Sequence, residues 1–85
     1  PMNLRQATPA DLPFVIELER WFFAQGLLSA DDPAVHQARI ASGDCLYLIV
    51  EENDAAAGFA ILCGLANPHR SIELKRLAIA EPGQG

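Results

Sequence analysis

Residues 72–85 read IELKRLAIAEPGQG, a strand-like segment that runs into a glycine-rich turn. A strand followed by Gly-x-Gly presents consecutive backbone N–H groups, and a helix starting behind such a turn adds the positive end of its dipole, so the pair binds phosphate. The sequence ends at Gly85, before any such helix. The segment therefore predicts a phosphate- or cofactor-binding site, and we expect the chain to be the N-terminal part of that domain.

The apolar pattern of this strand changes phase in its middle. Ile72 and Leu74 alternate with charged residues, which predicts that both face the core. Farther along, the large apolar side chains stand at Leu77 and Ile79 instead. A shift of one position in a period-two pattern requires an extra residue, which is a β-bulge. We therefore predict a break in regular pairing between Leu74 and Leu77. A bent strand with unpaired backbone groups suits an elongated ligand with amide bonds, such as the pantetheine-phosphate arm of coenzyme A.

Composition narrows the class of protein. The chain has 85 residues, of which 51% are hydrophobic, enough for one small core. The net charge of −5 argues against a nucleic acid or an anionic membrane as partner. No signal-peptide pattern opens the chain, and the longest weakly polar run, residues 55–66, is shorter than the roughly 20 residues of a membrane span. We expect a cytoplasmic location.

Two helix starts precede the first long strand. Residues 8–11 (TPAD) combine a capping threonine, a proline in the first turn and an acidic residue in the capping-box position, so a helix should run to about Gln25 before a glycine stop. Residues 32–33 (DP) start a second, shorter helix that should end near Ser42, again before a glycine.

The first helix carries two apolar stripes. The stripe that we assign to the sheet consists of Leu12, Val15, Ile16, Phe22 and Phe23. The second stripe consists of Phe14, Leu18 and Trp21. Burial on two sides explains the second stripe; the functional alternative is that it lines an acceptor pocket or a subunit contact. The candidate acceptor-binding residues are Trp21, Phe22 and Leu27.

The remaining segments predict strands. Residues 3–7 suit an edge strand, and residues 44–51 (DCLYLIVE) are almost continuously apolar, which predicts a central strand covered on both faces. After a turn at residues 52–54, residues 56–65 should return antiparallel, and a loop of three residues would place Cys45 opposite Cys63. Two cysteines make no disulfide framework, and reduced thiols are expected rather than a bridge.

In this order, the elements resemble the first half of a GCN5-related N-acetyltransferase (GNAT) domain. The resemblance rests on residues 4–11 (LRQATPAD), 57–60 (AGFA) and 77–85 (LAIAEPGQG), and it covers essentially the whole chain. It implies an α/β fold of the acyl-CoA N-acyltransferase type, with a mixed, mainly antiparallel sheet and two N-terminal helices, truncated after the fourth strand. Residues 1–85 would form the N-terminal part of a single domain.

The resemblance also implies an activity. A GNAT domain moves an acetyl group from acetyl-CoA, its co-substrate, to a primary amine of a small molecule or a protein. Backbone groups at Leu77, Ala78 and Ile79 would bind the pantetheine arm. The phosphate turn would be formed by Gly83, Gln84 and Gly85, with Pro82 standing where the family has Gln or Arg. The alternative is a non-catalytic module that senses acyl-CoA or binds a partner.

The general base that several family members place on this strand would be Glu73. Its neighbours Ile72 and Leu74 are apolar, and apolar surroundings make a carboxylate a better proton acceptor. The alternative is a solvated carboxylate that pairs with Lys75 or Arg76.

Other polar residues are given structural interpretations. We expect His36 to lie on the surface, His69 to be a loop residue rather than a proton relay, and Tyr47 to be in the core. Residues 31–32 could meet a cationic substrate, but helix capping is sufficient to explain them. No metal-ligand spacing is present, so no metal site is expected.

The partners expected are acetyl-CoA and an amine acceptor. Because the last strand would leave an open, apolar sheet edge, a homodimer or another association through that edge is possible. The 85-residue chain on its own is expected to be inactive and to bind acetyl-CoA poorly.

Overall fold

The computed structural model describes residues 1–69 and 71–81. In chain order the elements are β1 (Met2–Gln6), a 3-10 turn (Pro9–Asp11), α1 (Leu12–Ala24), α2 (Pro33–Ala41), β2 (Cys45–Glu52), β3 (Ala55–Cys63) and β4 (Glu73–Ile79). The strands form one antiparallel sheet in the order β1-β2-β3-β4. The predicted fold class is confirmed, with β1 at an edge and β2 in the interior. Within the described residues, no helix combines the length and the apolar character needed to cross a bilayer.

Both ends of the first helical segment follow from local chemistry. The Asp11 carboxylate accepts a hydrogen bond from the backbone N–H of Thr8 at 2.8 Å, as a capping box requires. At the other end, Gly26 has a φ of 74°, and the N–H of Leu27 donates to the carbonyl of Phe22 at 3.0 Å. This is a Schellman ending, in which glycine supplies the left-handed residue. The predicted start and stop are both confirmed.

A tight hairpin joins the two central strands. Asn53 and Asp54 both have positive φ (52° and 65°), which matches a two-residue type I′ turn. The loop has two residues rather than the three on which the predicted pairing depended, but an extra residue near the start of β3 still places Cys45 opposite Cys63. Both cysteines are free and half-buried. Burial, together with a hydrogen bond to Cys45, raises the pKa of Cys63 to about 11.

The predicted bulge lies in β4. Arg76 pairs with Ile61. The next paired residue, Leu74, lies opposite Leu62, so Lys75 is the extra residue. The extra residue brings the apolar side chains before and after it onto one face of the sheet. β3 contains a second register shift near its start, between Val50 and Glu51 of its partner strand, which the sequence did not predict.

The core lies between the helices and one face of the sheet. Its buried members are Ala7, Leu12, Val15, Leu18, Tyr47, Ile49, Phe59, Ile61 and Ala78. Tyr47 is a core residue, as expected. Phe23 was expected to face the sheet but is 58% exposed, because the buried arc of α1 is rotated toward Leu18 and leaves Phe23 at its margin.

The other sheet face, called here the open face, is apolar and solvent-exposed. Its large exposed side chains are Met2, Leu4, Leu74, Leu77 and Ile79, with exposures between 40% and 61%. Both helices pack on the opposite face, so two predictions are wrong. Ile72 and Leu74 are exposed rather than in the core. β2 is covered by helices on one face only; on the other face Leu46 and Leu48 are half-buried, although Val50 is buried.

Candidate functional site

An apolar groove, called here the edge groove, runs between β4 and the end of α1. Its volume is about 280 Å³, and it is lined by Phe22, Leu27, Leu28, Leu77, Ala78 and Ile79. The fold therefore brings the three residues predicted to bind the pantetheine arm next to two of the three predicted to bind the acceptor. β4 is an edge strand of the described sheet, so one of its backbone edges faces away from β3.

A second cavity, called here the α1 cavity, lies on a different side of α1. Its volume is about 530 Å³, and it is lined by Phe14, Glu17, Leu18, Arg20, Trp21, Ala56 and Ala80. The second stripe of α1 thus lines a cavity. Trp21, the third candidate acceptor residue, lies here and not in the edge groove. Its ring packs edge-on against that of Phe22, with centroids 5.1 Å apart.

Glu73 is the first residue of β4 and lies opposite Cys63. Its side chain is 70% exposed, and its Oε1 lies 3.9 Å from Nζ of Lys75. The flanking Ile72 and Leu74 are themselves exposed, so they do not remove the carboxylate from water. The geometry is that of a solvated carboxylate beside a lysine, and the role of general base stays a prediction.

His36, expected on the surface, is fully buried. Its Nδ1 lies 2.7 Å from the Tyr47 hydroxyl and its Nε2 lies 2.8 Å from Oε1 of Glu19. A carboxylate can only accept, so we assign the ring proton to Nε2, and the Tyr47 hydroxyl then donates to Nδ1. The sequence signal was present: His36 stands one turn before Ile40, which packs against the core.

Glu19 is the second buried polar residue that the sequence interpretation missed. Its Oε1 also accepts the backbone N–H of Asp31 at 2.9 Å, and its Oε2 accepts from the guanidinium of Arg76. The signal was its place on the apolar arc of α1, one helical turn after Val15 and one turn before Phe22. A carboxylate on a core-facing stripe must find donors, because an unpaired buried charge is very costly.

The two acidic residues before α2 have different roles. Asp32 stands at the N-cap position of α2, where its backbone carbonyl accepts the N–H of Val35 at 2.9 Å but its side chain makes no capping hydrogen bond. Asp31 instead pairs with Arg39, whose Nη1 lies 2.9 Å from Oδ2. The hydrogen bond from Arg39 lowers the pKa of Asp31. Nearby, burial raises the pKa of the Tyr47 hydroxyl, the partner of His36. Side-chain capping, which was expected for residues 31–32, therefore accounts for neither of them.

Although the sequence shows no metal-ligand spacing, the fold brings three candidate ligands together. Ligand atoms of Glu19, Asp31 and His36 lie within 4.8 Å of one another. Both carboxylates, however, already pair with guanidinium groups, those of Arg76 and Arg39. A divalent cation would have to displace both pairs, so the cluster is described better as a hydrogen-bonded network.

Comparison with solved structures identifies the fold. An aminoglycoside acetyltransferase from an uncultured soil metagenomic sample, solved with sisomicin, matches 93% of this chain with a TM-score of 0.64 and 15% identity. An acetyltransferase from Thermus thermophilus matches 99% with a TM-score of 0.69 and 21% identity. The chain has the acyl-CoA N-acyltransferase-like fold. It spans 56% and 59% of those two chains. Its sequence matches no family model and no curated protein.

A loop histidine and a phosphate turn are also among the residues considered from the sequence. His69 is an exposed loop residue whose backbone N–H donates to Oδ1 of Asn67 at 2.8 Å. The predicted phosphate-turn residues Gly83, Gln84 and Gly85 lie outside the described residues, as does Pro82. The described site therefore consists of the edge groove, the α1 cavity and the exposed Glu73.

Proposed function

We propose that the intact domain transfers an acetyl group from acetyl-CoA to a primary amine. The observation that carries this proposal is the bulge at Lys75 in β4, which bends an edge strand directly beside the edge groove. Backbone groups freed by a bulge can pair with a ligand that has amide groups of its own. The fold shared with two solved acetyltransferases supports the same activity.

In the proposed reaction the acceptor nitrogen attacks the thioester carbonyl. The pantetheine arm lies along Leu77, Ala78 and Ile79, and a backbone N–H of the bulged strand donates to the oxygen that becomes negative. A cationic acceptor first gives up one proton to solvent, so that the nitrogen attacks as a neutral amine. Glu73 takes the second proton as the C–N bond forms, and coenzyme A leaves as a thiolate when the C–S bond breaks. The phosphate groups are assigned to residues 83–85.

For the acceptor we propose a compound with a cationic amine and an apolar neighbouring part. The net charge of −5 favours a positively charged partner. Phe22 and Leu27 offer only apolar contacts in the edge groove, and Trp21 offers an aromatic face in the adjacent α1 cavity.

The test uses the intact protein. Calorimetric titration with acetyl-CoA measures binding, and release of free thiol in the presence of a panel of primary amines measures transfer. Binding in the micromolar range, followed by amine-dependent thiol release, is the expected result. Absence of acetyl-CoA binding would overturn the proposal.

One observation favours a second candidate, an acyl-CoA sensor or partner-binding module without catalysis. Glu73 is solvated and lies beside Lys75, an environment that does little to activate a base. Acetyl-CoA binding without thiol release, for amines that differ in size and charge, would support this alternative over the enzyme.

A further inference from the structure

Arg76, the residue directly after the bulge, points from β4 toward the helices. Its side chain is 14% exposed, which is low for an arginine. The guanidinium Nη1 donates to Oε2 of Glu19 and to the carbonyl of Ser29, and Nη2 donates to the Ser29 hydroxyl at 2.9 Å. One side chain thus connects the bulged strand both to α1 and to the segment between the helices.

Ser29 directly follows two residues that line the edge groove. Leu27 and Leu28 form the wall of the edge groove that faces β4. Arg76 extends from β4, the opposite wall, and holds the residue that directly follows Leu28. The length of this link therefore limits how far the two walls can separate.

The far end of the link is itself fixed. Glu19 is 1% exposed and also accepts hydrogen bonds from His36 and from the backbone of Asp31. Each partner belongs to a different part of the helical layer. Multidentate, charge-assisted hydrogen bonds from a guanidinium hold geometry well, so Arg76 connects β4 to a buried carboxylate that several other hydrogen bonds keep in place.

We propose that Arg76 is a positioning residue that holds the wall formed by Leu27 and Leu28 at the distance from β4 that bound acyl-CoA requires. This inference rests on the proposed function for its consequence, since the groove is taken to hold the pantetheine arm. Displacement of a binding element by about 1 Å can cost up to about a hundredfold in rate. The width of the groove is therefore a property on which catalysis would depend.

Three variants of the intact protein test the link. Arg76→Met removes both the positive charge and the guanidinium donors. Arg76→Lys keeps the charge but not the two-nitrogen geometry of the guanidinium, and Ser29→Ala removes only the hydroxyl acceptor. Arg5→Met is the matched control, because it breaks another guanidinium–carboxylate pair, with Asp11, whose two residues line no part of the edge groove and lie outside residues 27–31.

Two readouts are measured on each variant: hydrogen exchange of the backbone amides in residues 27–31, and the dissociation constant for acetyl-CoA. Arg76→Met should speed exchange in this segment and weaken acetyl-CoA binding by about tenfold or more. Arg76→Lys should recover part of both losses, and Ser29→Ala should cause a smaller change in the same direction. Arg5→Met should leave both readouts unchanged.

A folded Arg76→Met variant with wild-type exchange and wild-type affinity would overturn the inference. If that variant does not fold, Ser29→Ala decides, and wild-type values for both readouts overturn it in the same way. Failure of the wild-type protein to bind acetyl-CoA would instead overturn the proposed function. The exchange of residues 27–31 would then still show whether Arg76 holds the wall.

Discussion

Asp11 has the most strongly shifted carboxyl group near the start of the fold. It accepts hydrogen bonds from the Arg5 guanidinium at 2.8 Å and 2.9 Å and from the Thr8 backbone. The hydrogen bonds from Arg5, and then that from Thr8, lower the pKa of Asp11 below its usual 3.8. A lowered pKa in the folded state means that the ionised group stabilises the fold above pH 3.8, and that this contribution is lost as the pH falls below that value.

We therefore predict that Asp11→Asn lowers thermal stability at pH 6 and weakens its dependence on pH between 4 and 2. Glu52→Gln, at the exposed end of β2, is the matched control and should change neither. Thermal unfolding followed by circular dichroism at several pH values measures both effects. An Asp11→Asn variant that loses stability on acidification as steeply as the wild-type protein would contradict the prediction.

Glu73 carries the prediction about catalysis. If it is the general base, Glu73→Gln in the intact enzyme should lower turnover by about two to four powers of ten, while acetyl-CoA binding stays nearly unchanged. Steady-state kinetics and calorimetric titration separate the two quantities, and Glu52→Gln again serves as control. Wild-type turnover at neutral pH would remove Glu73 from the mechanism.

At the scale of elements, the contact between β3 and β4 depends on Gly58. A Cβ at this position would lie 2.5 Å from the Ala78 carbonyl oxygen and 2.6 Å from Cδ1 of Ile79. Because the first obstacle is backbone, β4 itself would have to move. Gly58→Ala should lower the free energy of unfolding by about 1–3 kcal/mol, as overpacking does. A Cβ at Gly43 would meet no atom within 4 Å, so Gly43→Ala should leave the free energy of unfolding unchanged. Denaturant unfolding of both variants measures this; equal stabilities would contradict it.

Helix ends and strand irregularities were predictable from the sequence where residues close to them in the chain determine them. The bulge at Lys75 follows from the phase of the residues on either side of it, and the end of α1 follows from Gly26. The register shift in β3 could not be predicted in this way. Residues 55–57 are all alanine, and a run of alanines shows no alternation of apolar and polar side chains.

The site was less predictable because its members are distant in sequence. Glu19 and Arg76 lie 57 positions apart, so the partner of a buried carboxylate could not be read from its surroundings. Trp21 and Phe22 were assigned to one pocket, yet neighbours on a helix point about 100° apart and these two line different cavities. The edge groove brings together candidate acceptor-binding residues of the helical part and candidate pantetheine-binding residues of β4, which had been proposed from the sequence as two separate sets.

At the scale of the whole molecule, the open face is the surface that we expect to promote self-association. An apolar surface that includes Leu4, Leu74 and Leu77, each more than half exposed, tends to be covered by association. We predict that a chain consisting of residues 1–85 self-associates at micromolar concentrations.

Light scattering measures this association, and two variants locate it. Leu4→Lys combined with Leu74→Glu should shift the chain toward monomer. Phe23→Lys alters an equally exposed side chain on the helical side and should leave association unchanged. A wild-type chain that stays monomeric at high concentration would contradict the prediction.

The position of β1 in the sheet has a consequence for synthesis on the ribosome. Leu4 pairs with Val50, so β1 emerges about 46 residues before its only partner strand in the described sheet. At 5–20 residues per second, that delay is roughly 2–9 s. The hairpin of β2 and β3 needs no such wait, because its strands are adjacent in the chain. The nascent chain must therefore keep its first strand unpaired for seconds, during which a chaperone that binds short apolar segments has time to act.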